Sequence, residues 1–324
     1  MVHGRVMVGS GGQLWARRSD MPRSALPAPL STRPFSRREA VRLGVTLDRL
    51  RGDGLVVPYW GVRSPRPPAS TVERARCLLP LLRDDEFFSH VTALQLWGLP
   101  LPRRRELESL HVAATVSRQR RRAGVAGHRA QEGTPRGRVE GCPVSAPVEA
   151  WVQAATILGL DELVQVGDAL AGPWSPHLEA RELPIETLSA AAAVARQRTR
   201  PGRARLSAAL SLVRPGVMSP RETSLRLLIV RHGLPEPEIN VARRARDGRW
   251  LGTPDLSYGR EKIAVEYEGD HHRSDRGQWR RDIERSARFV DDGWAYHRVT
   301  DDHLAAPQAG AFLARLARDL RDRG

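Results

Sequence analysis

Lysine is almost missing from this sequence. Among 324 residues Lys262 is the only one, and arginine carries the rest of the positive charge. Such usage suits a genome biased toward GC-rich codons and tempers any argument from basic content alone. Cysteine is scarce too. Cys77 and Cys142 have no paired spacing, which excludes a Cys-based zinc site and suits a reducing cytoplasm. No stretch approaches the ~18 apolar residues of a membrane-spanning helix. The opening MVHGRVMVGSGGQLWARRSD lacks the continuous apolar core of a signal peptide. A cytoplasmic location with no membrane partner is therefore expected. There is no internal repeat.

What is present is a 40% hydrophobic chain with a formal net charge of +15. That content supports ordinary globular cores, and the length allows two or three domains. The charge is uneven. Residues 1–70 carry 12 arginines against 4 acids, whereas residues 219–324 carry 20 basic residues against 18 acids. Phosphate contacts are therefore expected at the front of the chain.

Residues 1–31 are rich in Gly, Ser, Pro and Arg and are expected to be disordered. Ser36-Arg37-Arg38-Glu39 is a capping-box pattern that opens a helix through Leu43. Gly44 breaks it, Thr46 to Arg51 forms a second helix, and Leu55 to Val62 alternates like a small hairpin. Helix, Gly turn, helix and β wing is the pattern of a winged helix-turn-helix over residues 32–63. Arg42, Arg49 and Arg51 would lie near a nucleic-acid backbone or groove. An ordinary helical hairpin with a solvated basic face fits the same pattern. SPRPPA (residues 64–69) is a stiff linker.

A mixed α/β region follows over residues 70–213. Helices are expected at 71–83, 90–97, 147–158, 161–171 and 186–196, with strands near 109–114 and 125–129. The arginine-rich run 118–122 reads as a solvated loop, with nucleic-acid contact as the alternative. His90, His111 and His128 read as satisfied structural histidines rather than ligands.

The third region, 219–324, opens on Ser219-Pro220-Arg221-Glu222, which joins an N-cap, a Pro in the first turn and a capping-box Glu. Strands are expected near 238–245, 249–257, 261–268 and 294–299, and helices over 219–231, 278–291 and 307–322. Trp279, Ile283, Ala287 and Val290 form one apolar stripe. The order is α-β-β-β-α-β-α, so the chain as a whole is α/β of the α+β kind.

The chemistry lies in GTPDLSYGREKIAVEYEGDHHRSDRGQWRR, residues 252–281. If 258–261 is the hairpin turn, Asp255 falls diagonal to Glu266, at ~7–8 Å between backbones. Residues 264, 266 and 268 share a face. Acids on apolar strands are costly to bury unless they bind something. Two carboxylates so placed can share a hard divalent cation. Glu222 either adds a third oxygen or serves only its capping box. A surface hairpin with solvated acids is the plainer alternative.

With Pro254-Asp255 and Glu266-Tyr267-Glu268 in this order of elements, the region resembles the PD-(D/E)xK nuclease superfamily. VEYEGDHHR, Trp279 to Asp282 and Gly293-Trp294 resemble, more narrowly, very-short-patch-repair-like endonuclease domains over roughly residues 219–305. The resemblance implies that Asp255, Glu266 and Glu222 hold Mg²⁺ (or Mn²⁺). It implies that His271 or His272 assists proton transfer or holds a phosphate, and that Asp282 positions a histidine or Arg285. Arg273, Arg280 and Arg281 would steady the phosphate. The family's usual third-position lysine is replaced by Glu268, and Lys262 lies too far along the strand to substitute. Either Glu268 binds metal or acts as base, or a histidine or arginine takes the role, or the site does not cut.

The front of the chain, with SHVTALQLWGLP and GVAGHR…GCPVSAPVEAW, is similar to abortive-infection (AbiEi-type) type IV antitoxins over roughly residues 33–170. That resemblance implies DNA binding, transcriptional repression and a partner toxin. Two functions are thus expected to compete: a DNA-binding metal-dependent endonuclease, with RNA as the alternative substrate, or a non-enzymatic regulator.

Overall fold

The computed structural model describes residues 25–101, 109–172, 183–269 and 276–324, and of 276–282 the backbone alone. The chain divides into two compact units, Met1–Pro68 and Ala69–Gly324. The described residues are mixed α/β, with several separate sheets.

The first unit contains α1 (Ala28–Ser31), β1 (Phe35–Ser36), α2 (Arg37–Arg42), α3 (Leu47–Arg51) and β2 (Val62–Arg63). Ser36 Oγ accepts the Glu39 N–H at 3.1 Å, and Thr46 Oγ1 accepts the Arg49 N–H at 3.2 Å, so both expected N-caps form. Gly44 ends α2 at φ +81°, a left-handed conformation that glycine takes without cost. Leu30, Phe35, Ala40, Val45 and Leu50 make a small core. Residues 28–31, expected within a disordered leader, are helical because Leu30 joins that core. The expected hairpin over 55–62 is reduced to one Val56–Ser64 bridge, and β2 pairs instead with β1.

The second unit begins with α4 (Thr71–Leu78) and a 3-10 turn over Leu79–Leu81. Then come β3 (Glu86–Phe88), α5 (His90–Leu96), β4 (Leu110–Ala114), β5 (Arg121–Arg122), β6 (Val125–Arg129), β7 (Arg136–Val139) and β8 (Cys142–Ser145). These strands form one sheet in the order β5-β6-β4-β3-β8-β7. Four helices follow: α6 (Pro147–Ala154), α7 (Leu160–Leu170), α8 (Ile185–Gln197) and α9 (Arg203–Leu212). The run 118–122 is a solvated loop only in part: Arg118, Gln119 and Arg121 are exposed, as expected. Residues 121 and 122 pair with β6, and Arg120 ion-pairs with the buried Glu86. Burial pushes the Glu86 carboxyl up, but Arg120 and Arg83 together hold it below its usual range.

The remaining elements are α10 (Pro220–Arg231), β9 (Glu238–Ile239), β10 (Arg243–Arg244), β11 (Trp250–Gly252), β12 (Leu256–Tyr258), β13 (Ile263–Tyr267), α11 (Arg276–Asp291), β14 (Ala295–Val299) and α12 (Gln308–Arg323). A four-stranded sheet runs β14-β13-β12-β9, with β13 and β14 parallel and the other pairs antiparallel. Strand alternation sorts its side chains. Leu256, Ile263 and Val265 pack with Leu225 and Ile229 of α10 and Phe312 and Leu316 of α12. Ala264 faces the other way, with Leu251, Trp294 and Phe289 of α11. Phe289 is the buried anchor of α11. Ile283 and Val290, expected on the apolar stripe, are 39% and 57% exposed, because the helix is turned to present Phe289 and Arg285.

Helices α7 and α10 are held together by a buried ion pair. Arg226, 1% exposed, meets Asp168 Oδ2 at 3.1 Å and Glu236 at 2.8 Å. Asp168 also accepts the Thr223 hydroxyl and the Arg214 N–H, so its lone pairs are well used. Burial still pushes the Asp168 carboxyl up, against the pull of Arg226.

Candidate carboxylate centre

The register of β12 on β13 pairs Leu256 with Val265 and Tyr258 with Ile263. This is a two-residue correction to the expected hairpin. The loop runs from Gly259 to Lys262, and Lys262 takes a left-handed conformation at φ +53°. Continued by one residue, the register sets Asp255 directly opposite Glu266 rather than diagonal to it. The corrected register therefore brings the two acids closer.

Glu222 comes from the first turn of α10. The Ser219 cap forms at 3.1 Å. The Glu222 side chain does not close the box on the Ser219 N–H. Its Oε2 accepts the Met218 N–H at 2.9 Å and Asn240 Nδ2 at 2.8 Å. Asn240, in turn, donates its backbone N–H to the Asp255 carbonyl at 2.9 Å. A left-handed turn at Asn240, φ +49°, thus joins two acids from different elements. Asn240 was hidden inside an expected strand. An Asn beside a short strand end was the only signal for it.

Glu222 and Glu266 are 4% and 6% exposed. Burial, then the negative charges of Glu266 and Glu222, push the Asp255 carboxyl up to about 7. Glu222 is also raised, chiefly by burial and against its hydrogen bonds to Met218, Asn240 and Ser219. These are the marks of carboxylates sharing one low-dielectric site. Asp255 Oδ2 accepts the Tyr267 N–H at 2.7 Å. The three acids thus bring hard carboxylate oxygens together at one place. That donor set fits Mg²⁺ or Mn²⁺.

Among the described residues, a helix brings a cation to this centre. Arg285 of α11 ion-pairs with Glu266, and the Tyr296 hydroxyl donates to the other Glu266 oxygen at 3.1 Å. Gly252 makes room for Arg285. A Cβ there would sit 3.1 Å from the Phe289 ring and 3.3 Å from the Arg285 chain. Glu268 is less involved. It is half-exposed and pairs with Arg298 at 3.1 Å. Lys262 is tied to Asp292 at 2.9 Å, at the far end of β13.

His271, His272 and Arg273 lie outside the described residues, as do the side chains of Arg280, Arg281 and Asp282. In the first unit, Arg42 and Arg51 are exposed and Arg49 is half-buried. In the second, His90, His111 and His128 converge on one another, away from the carboxylates in sequence and in sheet.

No family model, curated protein or solved structure matches the chain. The carboxylate centre has to be understood from its own side chains. Among the described residues, no helix is long and apolar enough to cross a membrane.

Proposed function

We propose that this chain is a DNA-binding protein whose C-terminal region is a metal-dependent phosphodiesterase of the PD-(D/E)xK kind. The observation that carries the reading is the cluster of the buried Glu222 and Glu266 with the half-buried Asp255, whose carboxyl is pushed up to about 7 by desolvation and by the other two acids. Such crowding is costly without a cation to offset it. The four-stranded sheet, with α10, α11 and α12 around it, supports a very-short-patch-repair-like fold.

Asp255 and Glu266 would hold Mg²⁺ or Mn²⁺, with Glu222 as a third oxygen donor. When bound, the metal supplies a water of lowered pKa and offsets charge on the phosphate. Arg285 takes the cationic role left vacant by the missing lysine, positioning Glu266 and facing incoming phosphate. Glu268, drawn toward Arg298, serves that pair rather than the reaction. In the first unit, α2, the Gly44 turn, α3 and the β1–β2 pairing support a winged helix-turn-helix. Arg42, Arg49 and Arg51 would meet the nucleic-acid backbone there.

The test is incubation of the full chain with DNA and RNA, side by side, with Mg²⁺ or Mn²⁺. DNA cleavage is expected, falling roughly 100-fold or more in Glu266→Ala. Cleavage that survives this change in a folded variant rejects the site assignment.

A second reading is a regulator of the type IV antitoxin kind, with a nuclease-like region that binds rather than cuts. The ion pairs of Glu266 with Arg285 and of Glu268 with Arg298 favour it, since they offset acid charge without a metal. It predicts a footprint on the chain's own promoter and no metal-dependent cutting. Cleavage with no footprint rejects it.

A further inference from the structure

The middle sheet gathers three histidines that the carboxylate centre does not use. His111 on β4 and His128 on β6 lie on one face. The strands are parallel, with His111 beside Ala126 and Ala113 beside His128. His90 opens α5, immediately after β3, and reaches the same face. The Ser89 N–H donates to the His111 carbonyl at 3.0 Å, so β3 and β4 hold the two in step. The His90 and His128 rings stack at 3.8 Å, and those of His111 and His128 at 5.0 Å. One ring nitrogen from each histidine lies within 4.8 Å of the other two.

Two buried imidazoles, His90 and His111, in contact with the half-buried His128 are a poor way to fill a core. Each brings a polar ring that must be satisfied. His90 also stands at φ +51°, a conformation that non-glycine residues seldom adopt and that costs about 1 kcal/mol or more. Its placement is nonetheless fixed on every side. Gln153 Oε1 accepts the His90 N–H at 3.2 Å and the Ser145 hydroxyl at 2.9 Å. The Gln153 amide donates to Glu149, and Glu149 is clamped by Arg200 at 2.9 Å. Ser89 Oγ meets His90 Nδ1 at 3.0 Å, which orients the ring and leaves Nε2 as its ligand atom. A metal-binding histidine is usually oriented this way through its other nitrogen.

We propose that His90, His111 and His128 form a three-imidazole site for a transition-metal ion of the Zn²⁺ class. Nitrogen donors around Zn²⁺ stand ~2.0–2.1 Å from the ion, roughly 3.4 Å from one another. His111 Nδ1 and His128 Nε2 are now 2.8 Å apart and share a hydrogen bond. Small ring rotations exchange that proton for the ion. His90 and His128 line a cavity of about 370 Å³ with Gln131, Glu149, Gln153 and Arg200. The fourth coordination position would face that cavity. The donor set is all imidazole, unlike the oxygen set of the carboxylates, so the two sites should take different ions. This inference stands apart from the nuclease reading.

The experiment uses the full chain stripped with chelator and loaded with one equivalent of Zn²⁺. X-ray absorption at the zinc edge is expected to show imidazole scattering from three nitrogen donors. Zn²⁺ affinity by calorimetry is expected to fall 100-fold or more in His111→Gln/His128→Gln. It should change less than threefold in Asp255→Asn/Glu266→Gln, and excess Mg²⁺ should not displace the ion. Failure to bind Zn²⁺ overturns the proposal, as does an oxygen-only zinc edge. So does loss of binding in the carboxylate variant with retention in the histidine variant. The wild-type spectrum decides the matter if a variant does not fold.

Discussion

The carboxylate cluster and the histidine cluster occupy the same unit and pose the same physical problem with opposite signs. Each crowds three titratable groups into a place where charge is poorly solvated. Burial drives Asp255 and Glu222, and likewise His90 and His128, toward their neutral forms, so Asp255 rises to about 7 while His90 falls to about 2. The acids become neutral only by holding protons. The histidines become neutral by losing them, which is the form in which an imidazole can ligate a metal. In the readings proposed above, a hard cation would relieve the first cluster, and an imidazole-seeking metal would complete the second. Asp168 and Arg226 show a third outcome. There a buried acid meets a buried guanidinium directly and needs no ion.

The largest way to sharpen this contrast is to unpair the third case. Asp168→Ala leaves Arg226 buried with only Glu236 and the Leu212 carbonyl. A loss of about 3–5 kcal/mol is expected in denaturant unfolding. A loss below ~1 kcal/mol would show that the pair does not hold α7 to α10.

The carboxylate cluster should respond in the other direction. Asp255 has a folded pKa raised from an ordinary value of 3.8 to about 7. Its contribution to stability is therefore fully present below about pH 4 and lost as pH rises through about 7. Asp255→Asn removes that loss. At pH 8 without metal the variant should be more stable than the parent by roughly 2–4 kcal/mol, and near pH 4 about equal. Mg²⁺ should reverse the order at pH 8 by stabilising the parent alone. Thermal unfolding across pH checks both points, and a pH-independent difference would break the comparison.

A smaller effect tests how Arg285 is placed. Gly252 sits at φ +152° with Phe289 and Arg285 against it. Gly252→Ala should cost about 1–3 kcal/mol and displace Arg285 from Glu266. A crystal structure of the variant with the ion pair intact would refute that account. The smallest effect belongs to the first unit. Arg51→Ala should weaken DNA binding uniformly across sequences and lower the salt slope by about 0.9, the contribution of one phosphate contact. An unchanged slope would remove Arg51 from the interface.

Much of the fold was legible because its signals are local. Ser36, Ser70 and Ser219 each cap the helix expected of them. Helices α10, α11 and α12 and strand β14 follow from periodicity, punctuated by Gly233 and Gly293 at φ +74° and +81°, whereas the three strands expected between α10 and α11 are five short ones in two sheets. Less was legible where short strands lean on distant partners. β3, β7 and β8 have three or four residues each and gain their identity from the sheet. Arg120 looked solvated in a run of arginines, yet Glu86, on a distant strand, buries it.

By itself, then, the sequence determined which acids lie on or beside apolar strands. Alternation along a strand is a local rule, so Asp255 and Glu266 could be named without a structure. Only the tertiary structure decided their register, because a left-handed Lys262 lengthens the loop. It alone brought Asn240 to Glu222 and Arg285 to Glu266, across 18 and 19 residues of chain. It alone gathered His90, His111 and His128. Those contacts join different elements, and side chains far apart in a chain meet only when a sheet and its helices have packed.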